Sequence, residues 1–326
     1  MNLHRRHWLA ALGALAAAQA LPARAQNDFP NKPIRLLVPF SAGGSPDLLA
    51  RVIAVQAGKQ LGQNIVVENR LGANGIIAAE AVANAQPDGY TLLVTTGSHA
   101  INPSIYKKLS YDTVADFAPV CLFSVAPALT LVVNPNSPAK TFKDFLALAR
   151  QPGGNVSFGS PGTGNTLHLA GELLNATAGI RMLHVPYKGA APALQAVMAG
   201  EVTACFLSTT AAVLAVKGGQ VRPLAVTSAQ RLGAFPEVPT MAESGVPMDY
   251  NGGWVGLFAP GKTPRPVVQK LSAEINKAMQ VPEVRDKMLG WDSPPANTTP
   301  EEFARFFQGE MEKFARIVKQ ANIPLQ

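Results

Sequence analysis

The chain has 326 residues, 47% of them hydrophobic and 15% charged, enough for one large domain or two medium ones with a buried core, and against wholesale disorder. No apolar run reaches the roughly 20 residues that span a bilayer, which argues against an integral membrane protein. The formal charge is +7, but Arg5, Arg6 and Arg24 fall in an acid-free first 25 residues, so the remainder carries +4. That charge suits a small anion and is too scattered for a nucleic-acid surface.

Met1 to Ala25 has the three parts of a secretory signal peptide. His4-Arg5-Arg6-His7 is basic, Trp8 to Ala20 is apolar apart from Gln19, and Ala23-Arg24-Ala25 is a small-x-small cleavage pattern before Gln26. Arg5-Arg6 followed by Trp8-Leu9 loosely suggests a twin-arginine signal, but no serine precedes the pair, and ordinary secretion stays open beside it. The first cysteine is Cys121, so no lipid-anchor cysteine follows the cleavage site. A protein exported to the periplasm is the expectation.

After that segment, short β-rich runs alternate with helix-period segments, the pattern of a parallel sheet with covering helices. Strands are expected at Ile34–Pro39, Ile65–Glu68, Thr91–Thr95, Val120–Phe123, Leu129–Val133, Val156–Phe158, Leu183–Val185, Val202–Leu207 and Val221–Val226. Helices are expected at Pro46–Leu61, Gly75–Ala85, Phe142–Ala149, Leu167–Ala176 and Ala191–Ala199. The last quarter is helical, at Pro266–Met279, Pro282–Leu289 and Pro300–Gln320, each with proline near its start.

Strand, glycine-rich loop and helix recur at Leu36–Ala50 and Val156–Ala170, with Gly43 and Gly162 aligned. Two similar α/β lobes follow from that repeat. If the helical tail returns to the first lobe, the chain crosses twice, near Leu129–Val133 and near Asn251–Phe258. The expected division is 1–25 signal peptide, 26–126 with 251–326 as the first lobe, and 127–250 as the second.

A glycine loop between strand and helix offers backbone N–H groups and the positive end of a helix dipole, which suits an anion. In Gly159–Thr166 the P-loop lysine position is Asn165, which argues against NTP hydrolysis. The dinucleotide pattern fails too, because Leu167 stands where its third glycine belongs. An acceptor for a smaller anion such as a carboxylate survives, with Thr163, Asn165 and Thr166 adding side-chain bonds; a plain tight turn with an N-cap is the competing reading. Asp47, in the first turn after Gly43-Gly44, reads first as a complement to the helix dipole. Glu301-Glu302 reads the same way.

Catalysis finds little support. No G-x-S-x-G elbow surrounds Ser45, Ser98 or Ser160. His168 is placed to orient its loop, His99 to line the cleft or lie at the surface, and His184 to be a structural histidine in an apolar strand. Cys121 and Cys205, both in expected strands, leave a disulfide open. Two cysteines without clustered histidines form no metal pattern, and no cofactor is expected.

Across nearly its whole length beyond the signal, the chain resembles the extracytoplasmic solute receptors of tripartite tricarboxylate transporters, the Bug or TctC type. The segments that carry this are PIRLLVPFSAGGSPDLLAR, VVENRLGANGIIAAEAVANAQPDGYTLL, DFAPVCLF, GSPGTGNTLHLAGELL, HVPYKGAAPALQAVMAGEVTACF, RPLAVTSAQR and EVPTMAESGVPMDYNGGWVGLFAPGKTP. The resemblance implies a bilobed, type II-like clamshell with two crossing segments and a helical C-terminal tail. It implies a monomer that holds a small carboxylate between two loops, often through water, and passes it to membrane permease subunits. Carried onto this sequence, the first loop is Phe40, Ser41, Ala42, Gly43, Gly44 and Asp47, and the second is Gly162, Thr163, Gly164, Asn165, Thr166 and His168. Thr96, Ser98, Tyr187, Lys188 and Ser208 are further cleft candidates. Pro46 replaces the family's usual threonine and Thr203 a frequent aspartate, the latter removing a charge expected at the cleft rim. A ligand sensor on the same fold, or an exported two-lobed hydrolase or isomerase, are the alternatives, and the ligand itself stays open.

Overall fold

The computed structural model describes residues 29–326 apart from 152–154, 249, 251–252, 321–322 and 324; the expected signal segment, 1–25, lies outside the described residues. The first stretch runs β1 (Ile34–Val38), α1 (Ser45–Leu61), β2 (Ile65–Asn69), α2 (Ile76–Ala83), β3 (Thr91–Thr96), α3 (Ser98–Ile105) and β4 (Phe117–Val125). The second runs β5 (Leu129–Val133), α4 (Phe142–Arg150), β6 (Ser157–Ser160), α5 (Thr166–Ala178), β7 (Leu183–Pro186), α6 (Ala190–Ala199), β8 (Ala204–Ser208), α7 (Thr209–Lys217) and β9 (Arg222–Val226). Strand β10 (Trp254–Pro260) and helices α8 (Arg265–Gln280), α9 (Pro282–Gly290) and α10 (Pro300–Gln320) complete it.

Two five-stranded sheets result, ordered β2-β1-β3-β10-β4 and β7-β6-β8-β5-β9. Neither is wholly parallel, contrary to the expectation. β1 runs parallel to β2 and β3, and β6 to β7 and β8, but β10 and β5 pair antiparallel with both their neighbours. The reason is topological. β5 and β10 are the first strands after each passage between sheets, and each enters its sheet from the opposite end. Position by position the sheets correspond, with β1 matching β6 and β3 matching β8.

The segment near 251–258, expected as a plain crossing, contains β10, a central strand buried at all seven positions. Its Gly256 admits the ring of Phe303 on α10, which would lie 2.4 Å from an added Cβ. Two helices were not foreseen. α3 carries Pro103 in its interior, and α7 starts at the residue after β8 with no turn between them. The tail returns to the first sheet, α8 packing on α1 and β4 and α10 on α3 and β4. Thr299 and Glu302 form a reciprocal cap at the start of α10, and Glu301 pairs with Arg265.

One apolar cluster sits between α1, α8 and the first sheet, around Ile53, Phe123 and Leu271. Another lies against the second sheet around Val213 and Phe235. A third runs through both lobes, from Leu93 and Phe258 to Phe158 and Leu174. Cys121 on β4 and Cys205 on β8 are free and buried in different sheets, which answers the open disulfide question. Burial raises both thiols, Cys205 to about 12. No described helix is long and apolar enough to cross a membrane.

Candidate functional site

The two glycine loops follow β1 and β6, corresponding strands, and lead into α1 and α5. In each, one glycine takes a left-handed conformation directly before the helix N-cap: Gly43 at φ 81° before Gly44, and Gly164 at φ 79° before Asn165. The structural equivalence therefore pairs Gly43 with Gly164 rather than with Gly162. Each of these glycines donates its N–H to a side chain four residues on, Gly43 to Asp47 Oδ2 at 3.0 Å and Gly164 to His168 Nδ1 at 3.2 Å.

Behind the first loop, Asp47 also accepts from Arg51 Nε at 3.0 Å and Asn69 Nδ2 at 2.9 Å. Burial opposes its charge, but Arg51, the Gly43 N–H and Asn69 outweigh that and hold the carboxyl below its ordinary value. Behind the second loop, His168 lies against His184 with ring centroids 3.9 Å apart, and His184 Nε2 shares a 2.6 Å hydrogen bond with Ser160 Oγ. Burial first, and the neighbouring His184 second, lower His168 to about 3; burial lowers His184 to about 4. Both rings are neutral near pH 7, and the Nδ1 of His168 is free to accept.

The loops meet across an interlobe cavity of about 70 Å³. Four helix N-termini reach it: α1 through Gly44, Ser45 and Pro46, α5 through Asn165, Thr166 and Leu167, α6 through Ala190, and α7 through Ser208 and Thr210; Thr96 at the end of β3 lines it too. Phe40, Leu49, Trp254 and Val255 supply apolar wall, and no charged side chain is among the lining residues. The lobes touch directly around it. Ser45 Oγ and Ser208 Oγ are 2.6 Å apart, Asn165 Nδ2 donates to Ser98 Oγ at 2.9 Å, and Thr210 and Ser293 hydroxyls are 2.7 Å apart. An added Cβ on Gly97 would lie 2.7 Å from Thr166 Cγ2, and on Gly189 2.6 Å from Ser41 Oγ. These contacts describe a closed clamshell.

The candidates divide by place. Phe40, Gly44, Thr96, Asn165, Thr166 and Ser208 line the cavity. Gly162, Thr163, Tyr187 and Lys188 line a separate interlobe groove of about 600 Å³ that shares Phe40 and Pro161 with it. Ser98 reaches the cavity edge through Asn165, and Ser41 accepts from the Ala191 N–H at 3.4 Å. Ala42 and Gly43 are exposed; Asp47, Gly164 and His168 stand behind the loops and line neither space.

His99 neither lines the cleft nor lies at the surface. It is 2% exposed, ringed by Tyr111, Phe117, Phe258 and Phe307, because the first turn of α3 directs it under α10. Thr203 bonds Ser157 at the N-terminal end of β6, at 3.2 Å and 3.3 Å. That is the far end of the sheet from the loops, so its missing charge does not touch the cleft rim. Sequence reasoning missed Ser45, Leu49, Ser124, Thr210, Trp254, Val255 and Ser293. Ser45 and Thr210 carry a usable signal, a hydroxyl in the first turn of a helix after a parallel strand; Leu49 lies one turn further along α1, and the others come from the ends of β4 and β10 and from the tail, at the crossings.

The TctC family model, described as the tripartite tricarboxylate transporter family receptor, matches residues 49–323. The solved periplasmic binding protein BugD is 31% identical, covering 91% of this chain and 100% of its own, with TM-score 0.86. A protein of R. palustris solved with adipate is 33% identical, covering 92% and 100%, with TM-score 0.87. MatC of Rhodopseudomonas palustris, solved with bound malate, is 33% identical, covering 89% and 100%, with TM-score 0.83. The chain has their bilobed periplasmic-binding-protein fold and belongs to the tripartite tricarboxylate transporter family of solute receptors.

Proposed function

We propose that this receptor works in the periplasm, closing its two lobes on a small carboxylate and presenting the closed form to membrane permease subunits. The lobes are 26–126 with 251–326, and 127–250. The observation that carries this is the convergence of four helix N-termini, one from the first lobe and three from the second, on a cavity lined by uncharged side chains. Such ends carry partial positive charge and unpaired N–H groups, so they hold an anion without a cationic side chain. The carboxylate sits among Gly44 and Ser45 of the first lobe and Asn165, Thr166 and Ser208 of the second. Tyr187, Lys188, Gly162 and Thr163 border the approach to it. The adipate and malate in two relatives are of the matching chemical class.

A receptor fits better than an enzyme. Ser160 and His184 resemble half of a catalytic pair, but Ser160 is fully buried and its hydroxyl is also bonded to the Gly162 N–H and carbonyl. It fastens the loop and has no route to a substrate.

Calorimetry against a panel of short mono-, di- and tricarboxylates tests the reading, with small-angle scattering on the same samples. A bound acid and a smaller radius of gyration on saturation are expected. Binding of none of them, or turnover of an ester, defeats it.

A further inference from the structure

Seven hydroxyls line the interlobe cavity, and six are committed. Ser45 and Ser208 bond each other at 2.6 Å, as do Thr210 and Ser293 at 2.7 Å. Thr166 Oγ1 reaches Asn165 Oδ1 at 3.5 Å. Thr96, the remaining lining hydroxyl apart from Ser124, donates to Ser98 at 3.4 Å and accepts from the Ser98 N–H at the same distance. The exception is Ser124. It is 2% exposed, lines the cavity, and its Oγ has no hydrogen-bond partner among the described residues.

Ser124 stands near the end of β4, just before the chain passes to the second sheet. It is opposite Val255 of β10 and bridged to Pro295, two residues beyond Ser293. Its hydroxyl therefore lies on the crossing side of the cavity, beside the Thr210–Ser293 pair and an apolar wall of Trp254 and Val255. A buried hydroxyl without a partner costs folding free energy unless a bound molecule satisfies it. The cavity has no acidic side chain in its lining to receive an ammonium group, and the helix N-termini already serve the carboxylate end of the ligand. What Ser124 can meet is a neutral oxygen, as donor or acceptor.

Resting on the receptor reading above, we propose that Ser124 is a specificity-determining residue, and that the ligand is a short carboxylate bearing a hydroxyl or oxo group which Ser124 hydrogen-bonds. The helix N-termini hold the carboxylate, and Ser124 reads the substituent.

Matched acids test this: malate against succinate, 2-oxoglutarate against glutarate, and aspartate as the ammonium counterpart of malate. The wild-type protein is expected to bind at least one oxygenated acid about tenfold more tightly than its unsubstituted partner, the worth of one well-placed hydrogen bond, with aspartate weaker than malate. In Ser124→Ala that preference collapses, because the oxygenated acid loses far more affinity than its unsubstituted partner. The ligand-free variant melts at the wild-type temperature or above, because a partnerless hydroxyl has been removed. An unchanged preference in Ser124→Ala, or a lowered melting temperature that reveals a structural partner, overturns the assignment and leaves the receptor reading intact. A tighter grip on succinate or glutarate than on the oxygenated acids also overturns it. Failure of the wild-type protein to bind any of these acids while another carboxylate of the wider panel binds overturns the assignment alone; failure across the whole panel removes both.

Discussion

Gly43 and Gly164 hold matching places in two lobes, with φ of 81° and 79°, and each gives its N–H to the side chain four residues later. In the first lobe that acceptor is the carboxylate of Asp47, balanced by Arg51 and Asn69. In the second it is the neutral imidazole of His168, packed on His184. One backbone shape is thus held from behind by ionic chemistry on one side and uncharged chemistry on the other. The shared requirement is electrostatic. An unbalanced negative charge behind a helix N-terminus would oppose the anion that the same N-terminus attracts. Arg51 cancels the charge of Asp47, and His168 brings none.

The largest expected effect follows from the ionic anchor. Asp47→Ala leaves the Gly43 N–H, Asn69 and Arg51 without their shared acceptor and should lower stability by about 2–3 kcal/mol, the scale of a charge-assisted bond lost from a buried site. Ligand affinity should fall more than tenfold as the first loop loosens. Asp47→Asn, which keeps the shape, should cost less of each. Urea denaturation and calorimetry on both variants decide it; an unaffected affinity would mean the first loop does not hold the ligand.

Acid separates the anchors next. His168 at about 3, His184 at about 4 and the buried His99 at about 3 all lie below the unfolded value near 6.5. The unfolded chain therefore takes up protons first as pH drops, and stability declines below pH 6.5 by up to about 1.4 kcal/mol per pH unit for each histidine. Above that pH these groups add no slope. Asp47 behaves differently: its carboxyl is held below the usual range, so its contribution stays intact above about pH 4 and is lost only beneath. Thermal melts from pH 7.5 to 4.5 should show the decline. His99→Phe, filling the same aromatic box, should reduce the slope by one proton without touching binding at pH 7.

Much of this arrangement is legible in residue order alone. Alternating apolar runs located nine strands, and the repeated strand–loop–helix located both glycine loops. What escaped depends on tertiary closure. β10 is interrupted by Gly256 and ends in Pro260, so it lacks a strand's usual composition, and its place in the sheet is decided by Phe303 packing from α10. The anchors were half visible: Asp47 read as a dipole complement and His168 as a loop-orienting residue, but the i to i+4 bond needs the left-handed glycine that only the folded loop displays. Ser124 and Ser293 gave no sign, because nothing local marks a residue that a chain crossing will bring to a cavity.

The helix caps offer a smaller asymmetry. Asn165 caps α5, its Oδ1 accepting the Leu167 N–H at 2.9 Å, while Gly44 caps α1 with no side chain at all. Asn165→Ala should cost about 1 kcal/mol in stability. It also removes the 2.9 Å bond to Ser98 across the cleft, so binding should weaken as well. Gly44→Ala should cost stability only a few tenths of a kcal/mol from the cap, with some crowding of the Ser41 carbonyl, 3.3 Å from an added Cβ. Equal losses would show that the two caps are interchangeable.

The smallest effect belongs to Lys188, the cation among the residues that line the outer groove. Lys188 is exposed and lines the outer groove, on the far side of Phe40 and Pro161 from the cavity. Its charge stays hydrated there, and an exposed charge contributes about 0–1 kcal/mol to a contact. Lys188→Ala should therefore change ligand affinity by less than about fivefold, and mainly the association rate, with the difference vanishing as salt screens it. Affinity of the wild-type protein should likewise vary little between low and physiological ionic strength, because helix ends at a closed cavity are poorly screened. Loss of binding in Lys188→Ala, with a steep salt dependence in the wild type, would place the carboxylate in the groove beside Lys188 and leave the two anchored loops as scaffolding for a site they do not form.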